Sequence, residues 1–240
     1  MPISQDAHTV KQFDTQLINL RDLVLEMGGL VENQIQRAIT ALDEQNLSAA
    51  HEVISRDQII NNLHVKADED SVNLIARRQP MGSDLRMIIA LSKIVADLER
   101  IGDKAGKIAR MTVKIYDGGN SPPNVKLLRD VAPMTRLATT MLHGGLDALA
   151  RLDVEKAIEV AQSDDVLDEE FHAALRRLIT YMMEDPRTIG QALNVIFIIK
   201  ALERIGDHAN NIAESIIYLV KGKDVRYVST DALTQDDVEG

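Results

Sequence analysis

The chain has 240 residues, which is enough for one large domain or two small ones. Hydrophobic residues make up 45% of it, aromatic residues only 3%, and the net charge is −10, which argues against nucleic acid as a partner because affinity for phosphate backbones comes from clustered Lys and Arg. The absence of Cys excludes disulfides and thiolate metal sites, and the absence of a signal-peptide pattern or an apolar run of ~18 residues predicts a cytoplasmic protein.

Hydrophobic periodicity, interrupted by short polar and Gly- or Pro-containing breaks, predicts six helices. Their approximate bounds, in chain order, are 9–44, 47–79, 83–116, 125–151, 154–184 and 187–221. Ser83 is the predicted N-cap of the third helix, and Asp185 is that of the sixth, with Pro186 at the first helical position. Paired glycines in the first and fourth helices, at MGGL and HGGL, predict a close helix contact or a kink.

The third and sixth predicted helices contain the same six residues, LERIGD, at Leu98–Asp103 and Leu202–Asp207, which are 104 positions apart. The longer segments Ala96–Arg110 and Lys200–Glu214 match at nine of fifteen positions. Apolar residues recur along both helices at alternating steps of four and three. This pattern is typical of a helical seam packed in a bundle.

The repeat extends into the second helix of each half, where EVISRDQIIN aligns with EVAQSDDVLD. Each half therefore has the order helix, helix, long helix. The sequence predicts an all-α fold of two tandem, duplicated three-helix bundles. The predicted divisions are a first bundle at 8–117, a linker at 118–125, a second bundle at 126–221 and a mostly disordered acidic tail at 222–240.

Polar residues spaced four apart on the second and third helix of each half share one helix face. The candidates, taken helix by helix, are Asp57 and Asn61, Glu99 and Asp103, Asp164 and Asp168, and Glu203 and Asp207. If these helices pack antiparallel, the two pairs in each half face one another. The second half would then gather four acids, and the first half three acids and an amide.

Such clusters are destabilised by repulsion between carboxylates, so their charge has to be offset. Arg100 and Arg204 project about 100° away from the neighbouring Glu and suit outer salt bridges. A hard cation with oxygen ligands fits the cluster itself. His208 follows an acid, but Lys104 stands at the matching position of the first half, which suggests that His208 lies on the surface or beside the ligands without binding the metal itself.

Two alternatives to metal binding stay open. In the first, the acids form a solvated face on a metal-free helical scaffold and dock basic partner surfaces. In the second, the protein is a metal-dependent phosphohydrolase or oxidase. The sequence offers no general base or nucleophile distinct from the candidate ligands, so we predict no catalytic residues and no enzymatic activity.

Five segments between about residues 13 and 226 carry a more specific signal. They are EMGGLVENQI, ARRQPMGSDLRMI, LERIGDKAGKIA, TYMMEDPRTIGQAL and LERIGDHANNIAE. With the two three-helix halves, they resemble the PhoU family of bacterial phosphate-signalling proteins. The resemblance implies a cytoplasmic homodimer that represses the phosphate-starvation regulon and limits phosphate uptake. Its implied partners are the ATPase subunit of the phosphate ABC transporter and a sensor histidine kinase, with no nucleic acid and with the membrane reached only through partners.

The resemblance also implies multinuclear metal clusters on E(D)xxxD motifs, with iron or zinc in some members and manganese or magnesium in others. The motif positions correspond to Asp57, Glu99, Asp103, Asp164, Asp168, Glu203 and Asp207. Asn61 stands where the motif has an acid. An amide oxygen can bind a cation but adds no charge, so the first cluster is predicted to bind metal more weakly.

Overall fold

The computed structural model describes residues 5–117 and 124–225, and every element in those ranges is helical. The helices are α1 (Gln5–Asp43), α2 (Leu47–Arg78), α3 (Ser83–Tyr116), α4 (Val125–Leu128), α5 (Val131–Arg151), α6 (Val154–Gln162), α7 (Asp164–Glu184) and α8 (Ile189–Lys221), with a single 3₁₀ turn at Pro186–Thr188 before α8. The all-α prediction is confirmed. None of the helices in this part of the chain is both long and apolar enough to span a lipid bilayer.

Two predicted helices are each divided in the structure. The predicted fourth helix becomes α4 and α5, because Pro133 has no N–H to donate and its ring would clash with the carbonyl of Arg129 in a continuous helix. The predicted fifth helix is interrupted at Ser163, whose hydroxyl donates to the carbonyl of Glu159 at 2.8 Å. A side chain that bonds back to the preceding turn bends a helix in this way.

Of the two predicted N-caps, Ser83 is wrong and Asp185 is confirmed. Gly82, and not Ser83, is the N-cap of α3, with a positive φ of 59° and no side-chain cap bond. Asp185 does cap the turn that leads into α8, since its Oδ1 accepts a hydrogen bond from the backbone N–H of Arg187 at 3.1 Å. Pro186 follows it at the first position of the 3₁₀ turn, as predicted.

Each half is a three-helix bundle, and the two halves pack through their long third helices. α3 contacts α1 and α2, α8 contacts α5, α6 and α7, and α3 and α8 contact each other. The two long helices run antiparallel, because Lys93 lies over the ring of Tyr218 at 5.1 Å while Lys107 lies over that of Phe197 at 5.0 Å. This arrangement confirms the prediction of two tandem, duplicated bundles.

The apolar seams of α3 and α8 form the centre of the core. Leu98 and Ile101 on α3, and Leu202 and Ile205 on α8, have no exposed surface. A second contact between the halves joins α1 to α5, where a Cβ at Gly28 would overlap the side chain of Leu146. The predicted close helix contact at the paired glycines is therefore confirmed.

The predicted domain divisions stay predictions. Most of the linker, at 118–123, and most of the tail, at 226–240, lie outside the described residues. The beginning of the tail is described as far as Val225, which is 6% exposed and belongs to the core.

Candidate metal centre

The second half brings its acidic residues together between α7 and α8. One carboxylate oxygen from each of Asp168, Glu203 and Asp207 lies within 4.8 Å of the other two. Among the described residues, this is the one group of three or more His, Cys, Asp or Glu side chains that meets this distance. The i, i+4 spacing on α8 supplies two of the oxygens, and the antiparallel α7 supplies the third.

Asp164, one turn before Asp168 on α7, adds a fourth carboxylate. Burial raises the pKa of Asp164 to about 6, and the negative charges of Asp207 and Asp168 add to that effect. The side-chain amide of Asn210 donates a hydrogen bond to Asp164 Oδ2 at 3.2 Å and opposes the shift only in part. Around Asp164, the effects of burial and of the neighbouring acids thus outweigh that of the one amide donor.

Glu203 is the most deeply placed of these acids. The residue is 7% exposed, and its Oε2 atom is buried without a hydrogen-bond partner. The guanidinium Nε of Arg204 lies 3.5 Å from Oε2, close enough for an ion pair but without hydrogen-bond geometry. An unsatisfied buried carboxylate oxygen costs free energy, and a bound cation would satisfy it.

Two basic side chains on α8 partly offset the acids. Arg204 donates from Nη1 to Asp207 Oδ2 at 2.7 Å, with half of its side chain exposed, as expected of an outer salt bridge. Lys200 forms an ion pair and hydrogen bond with Glu203 Oε1. Neither contact supplies a donor to Glu203 Oε2.

Glycines allow the second and third helices to approach closely. A Cβ at Gly206 would overlap Cδ2 of Leu167 on α7. The matching Gly102 faces Ile60 on α2, whose Cδ1 would lie 3.0 Å from an added Cβ, and Asp57 Oδ1 would lie 3.9 Å away. These glycines admit an apolar side chain of the neighbouring helix, and that approach brings the carboxylates of the two helices together.

The first half forms a looser arrangement, in which Asp57 has a hydrogen-bond donor and a positive charge nearby. Burial raises the pKa of Asp57, and the negative charge of Asp103 adds to it, while a hydrogen bond from Gln34 and the positive charge of Arg110 lower it. The Gln34 amide lies 3.4 Å from Asp57 Oδ1 and 3.5 Å from the carbonyl oxygen of Gly102. The opposing pairs of α2 and α3 therefore meet through Asp57 and Asp103.

The other two predicted residues of the first half are less closely associated. Asn61 and Glu99 are half-buried, on α2 and α3 respectively. In the part of the chain that the structure describes, Glu99 does not join Asp57 and Asp103 in a group as tight as that of the second half. Of the eight predicted ligands, Asp168, Glu203 and Asp207 thus form a close group with Asp164 beside it, and those of the first half form a partial cluster.

Three contacts near these sites were not predicted. Gln34 is buried among apolar residues of α1, and this interruption of the seam could have indicated it. Lys200 is three residues before Glu203, and this spacing on one helix face could have indicated the ion pair. His208 is not on the surface: its side chain is 12% exposed, and its Nδ1 lies 2.9 Å from Asp97 Oδ1 across the α3–α8 contact.

Comparison with known proteins gives a consistent result. The family model described as PhoU domain matches residues 24–112 and again residues 131–216. A curated relative from Pseudomonas putida, named phosphate-specific transport system accessory protein PhoU homolog, is 47% identical over 95% of this chain and 88% of its own length. The phosphate-specific transport system accessory protein PhoU of Escherichia coli K12 is 42% identical over 96% of this chain and 94% of its own.

Two crystal structures have the same fold. PhoU from Pseudomonas aeruginosa aligns with a TM-score of 0.81 and 46% identity, covering 88% of this chain and 100% of that one. The phosphate transport system regulatory protein PhoU from Streptococcus pneumoniae aligns with a TM-score of 0.80 and 30% identity, covering 89% of this chain and 99% of that one.

Proposed function

The chain belongs to the PhoU domain family, and we propose that it is a cytoplasmic accessory protein of a phosphate-specific transport system. In this role it limits phosphate uptake and represses phosphate-starvation genes when phosphate is plentiful. The observation that carries the proposal is the match of the PhoU domain model to both halves of the chain, together with relatives of that name aligned over nearly the full length.

The proposed mode of action is protein binding without catalysis. The protein acts as a homodimer between the ATPase subunit of the phosphate transporter and a sensor histidine kinase, and it reaches the membrane only through them. The acidic groups on α7 and α8 favour this over an enzymatic role, because each of them is itself a candidate ligand and none is left to act as a separate general base.

We further propose that the second cluster holds a hard cation through Asp164, Asp168, Glu203 and Asp207. The buried Glu203 Oε2 without a hydrogen-bond partner supports this proposal. A cation would supply positive charge to four carboxylates, of which one already has a pKa of about 6 through burial and mutual repulsion. Manganese, magnesium, iron and zinc all accept oxygen ligands, and a set of four carboxylates is compatible with each of these metals.

The runner-up is a metal-free scaffold whose acids dock basic partner surfaces. The ion pairs of Lys200 with Glu203 and of Arg204 with Asp207 favour it, because they show these acids pairing with basic side chains. Thermal unfolding in excess Mn²⁺ and in EDTA separates the two. At a hundredfold excess over Kd, a cation bound only to the native state stabilises it by about 2.7 kcal/mol.

We expect Mn²⁺ to raise the melting temperature near pH 7 and to have little effect near pH 4, because protonated carboxylates lose their affinity for metal. An unchanged melting temperature at both pH values would replace the metal proposal with the scaffold.

The regulatory role is tested by deleting the gene and following a phosphate-regulated promoter fused to a reporter. We expect the promoter to stay active in high phosphate and to be repressed again when the wild-type chain is restored. A promoter that remains repressed in the deletion strain, with no paralogue present, contradicts the assignment. Restoring a Glu203→Gln variant in parallel shows whether repression also depends on the second cluster.

A further inference from the structure

Lys200 pairs with one of the four acids of the second cluster. Its ammonium group pairs with Oε1 of Glu203, one turn along α8, and lies 4.8 Å from the ring centroid of Phe171 on α7. The Glu203 side chain is 9% exposed, whereas that of Lys200 is 39% exposed. The lysine therefore reaches in from the solvent edge and places one positive charge on the deepest carboxylate.

This positive charge is specific to the second half. With the 104-residue offset of the repeat, Lys200 corresponds to Ala96, while Arg204 corresponds to Arg100. The residue that contacts the ammonium group, Phe171, corresponds to His64 in the aligned second helices. Of the two basic residues beside the acids of α8, only Arg204 belongs to the repeated pattern.

We propose that Lys200 is a tethered counter-cation that competes with a metal ion for Glu203 and so sets the cation affinity of the second cluster. The inference rests on the metal site proposed above. Two positive charges that share one carboxylate repel each other, so a divalent ion that binds Glu203 has to displace the ammonium group. The face of Phe171 and the nearby solvent offer the displaced ammonium a favourable position.

The test is a titration of Mn²⁺, the probe ion, into the full-length chain, with the free ion followed by electron paramagnetic resonance. Lys200→Met removes the charge and keeps the length of the side chain. We expect it to bind Mn²⁺ about fivefold more tightly than the wild type, the range set by a partly exposed ion pair. Lys200→Arg keeps the charge and should stay within about twofold of the wild type.

Lys93→Met is the matched control. It removes the same charge from a lysine that lies over an aromatic ring, that of Tyr218, but pairs with none of the candidate ligands. It should bind Mn²⁺ like the wild type. Circular dichroism confirms that each variant is folded, and Lys200→Gln replaces the Met variant if that one is not.

The outcomes separate this inference from the proposal on which it rests. If the wild type binds Mn²⁺ and Lys200→Met binds it no more tightly, competition by Lys200 is wrong and the metal site stands. If the Met and Arg variants tighten binding equally, the shape of the side chain and not its charge is responsible, and the competition is again wrong. If neither the wild type nor Lys200→Met binds Mn²⁺, the metal site and the competition both fail.

Discussion

The two halves carry the same LERIGD segment on their long helices, yet they surround its acids differently. In the first half, burial and the negative charge of Asp103 raise the pKa of Asp57, but a hydrogen bond from Gln34 and the positive charge of Arg110 oppose that rise. In the second half, Asp164 faces Asp207 and Asp168, and its pKa rises to about 6. Position 110 corresponds to Glu214 in the repeat, so the basic residue of one half is acidic in the other.

This comparison shows that two copies of one motif can be surrounded by different charges. The i, i+4 pair on the third helix is fixed by the repeat, but the groups that face it come from the less similar first and second helices. In the first half, a hydrogen bond from Gln34 and the positive charge of Arg110 offset part of the cost of burying Asp57. The second half accumulates carboxylates and leaves one buried oxygen without a hydrogen-bond partner. The second cluster is therefore the better candidate for a strongly bound cation.

The largest expected difference between the halves is in metal affinity. Glu203→Gln removes a charged ligand from the tight group and should weaken Mn²⁺ binding about a hundredfold, because the charge count of the ligands controls affinity for hard cations. Glu99→Gln, the matched change in the first half, should cost about tenfold or less. Titration of both variants measures the difference. Equal losses would mean that the extra charge of the second half does not decide affinity.

The hydrogen bonds between α3 and α8 also differ between the two halves of the repeat. Removing them should have the next largest effect, which is on the free energy of unfolding. Asp97 accepts from Asn211 at 3.2 Å and pairs with His208, but the position that corresponds to it is Ala201. Asp97→Ala should lower the free energy of unfolding by about 2 kcal/mol, because it leaves two partly buried polar groups without their acceptor. Urea unfolding measures this cost.

The control for this change is Lys104→Ala, since Lys104 occupies the position that corresponds to His208. We expect this variant to change the free energy of unfolding by no more than about 0.5 kcal/mol. Equal effects of the Asp97 and Lys104 variants would show that the Asp97–His208 pair contributes little to the packing of α3 on α8.

The acid clusters should also differ in how pH changes the stability of the metal-free protein. The pKa of Asp164 is about 6 in the fold and near 3.8 in the unfolded chain, so its ionisation disfavours folding. The contribution of Asp164 to the free energy of unfolding is fully favourable below its unfolded pKa of 3.8. It is lost as the pH rises through its folded pKa of about 6. We expect Asp164→Asn to stabilise the metal-free protein at pH 7 by about 1–2 kcal/mol, after allowance for solvent screening.

Urea unfolding in EDTA at pH 7 and pH 4 tests this prediction, with Asp57→Asn as the matched variant. The advantage of Asp164→Asn over the wild type should be much smaller at pH 4, where Asp164 is protonated in the native protein. The advantage of Asp57→Asn should be smaller at pH 7, because Gln34 and Arg110 already favour the charged form of Asp57. A constant advantage of Asp164→Asn across this range would show that its ionisation is not linked to folding.

The features that could be predicted from the sequence are those set by periodicity within one helix and by the repeat between the two halves. The periodic seam predicted the long helices, and the repeat predicted two equivalent bundles. The break before α5 could also have been predicted, because Pro133 excludes a continuous helix there. The pairing of Gln34 with Asp57 and of His208 with Asp97 depends on how helices rotate relative to one another, which the spacing of residues along one helix does not fix. The pairing of Lys200 with Glu203 lies within α8 and is compatible with the i, i+3 spacing.

The smallest expected effect concerns how closely the second and third helices approach in each half. Alanine in place of a helical glycine gains about 1 kcal/mol in helix propensity at either position, and overpacking costs about 1–3 kcal/mol. At Gly206 the new methyl group would overlap Leu167, whereas at Gly102 it would lie 3.0 Å from the mobile end of Ile60. We expect Gly206→Ala to destabilise the metal-free protein by about 1 kcal/mol and Gly102→Ala to leave its stability nearly unchanged, as measured by urea unfolding in EDTA.

The added methyl group at Gly206 should also affect metal binding. If it moves α7 away from α8, it separates Asp168 from Glu203 and Asp207, so Gly206→Ala should bind Mn²⁺ more weakly than the wild type. A Gly206→Ala variant that keeps both its stability and its affinity would mean that Leu167 turns aside at little cost, and that this glycine does not hold the second cluster together.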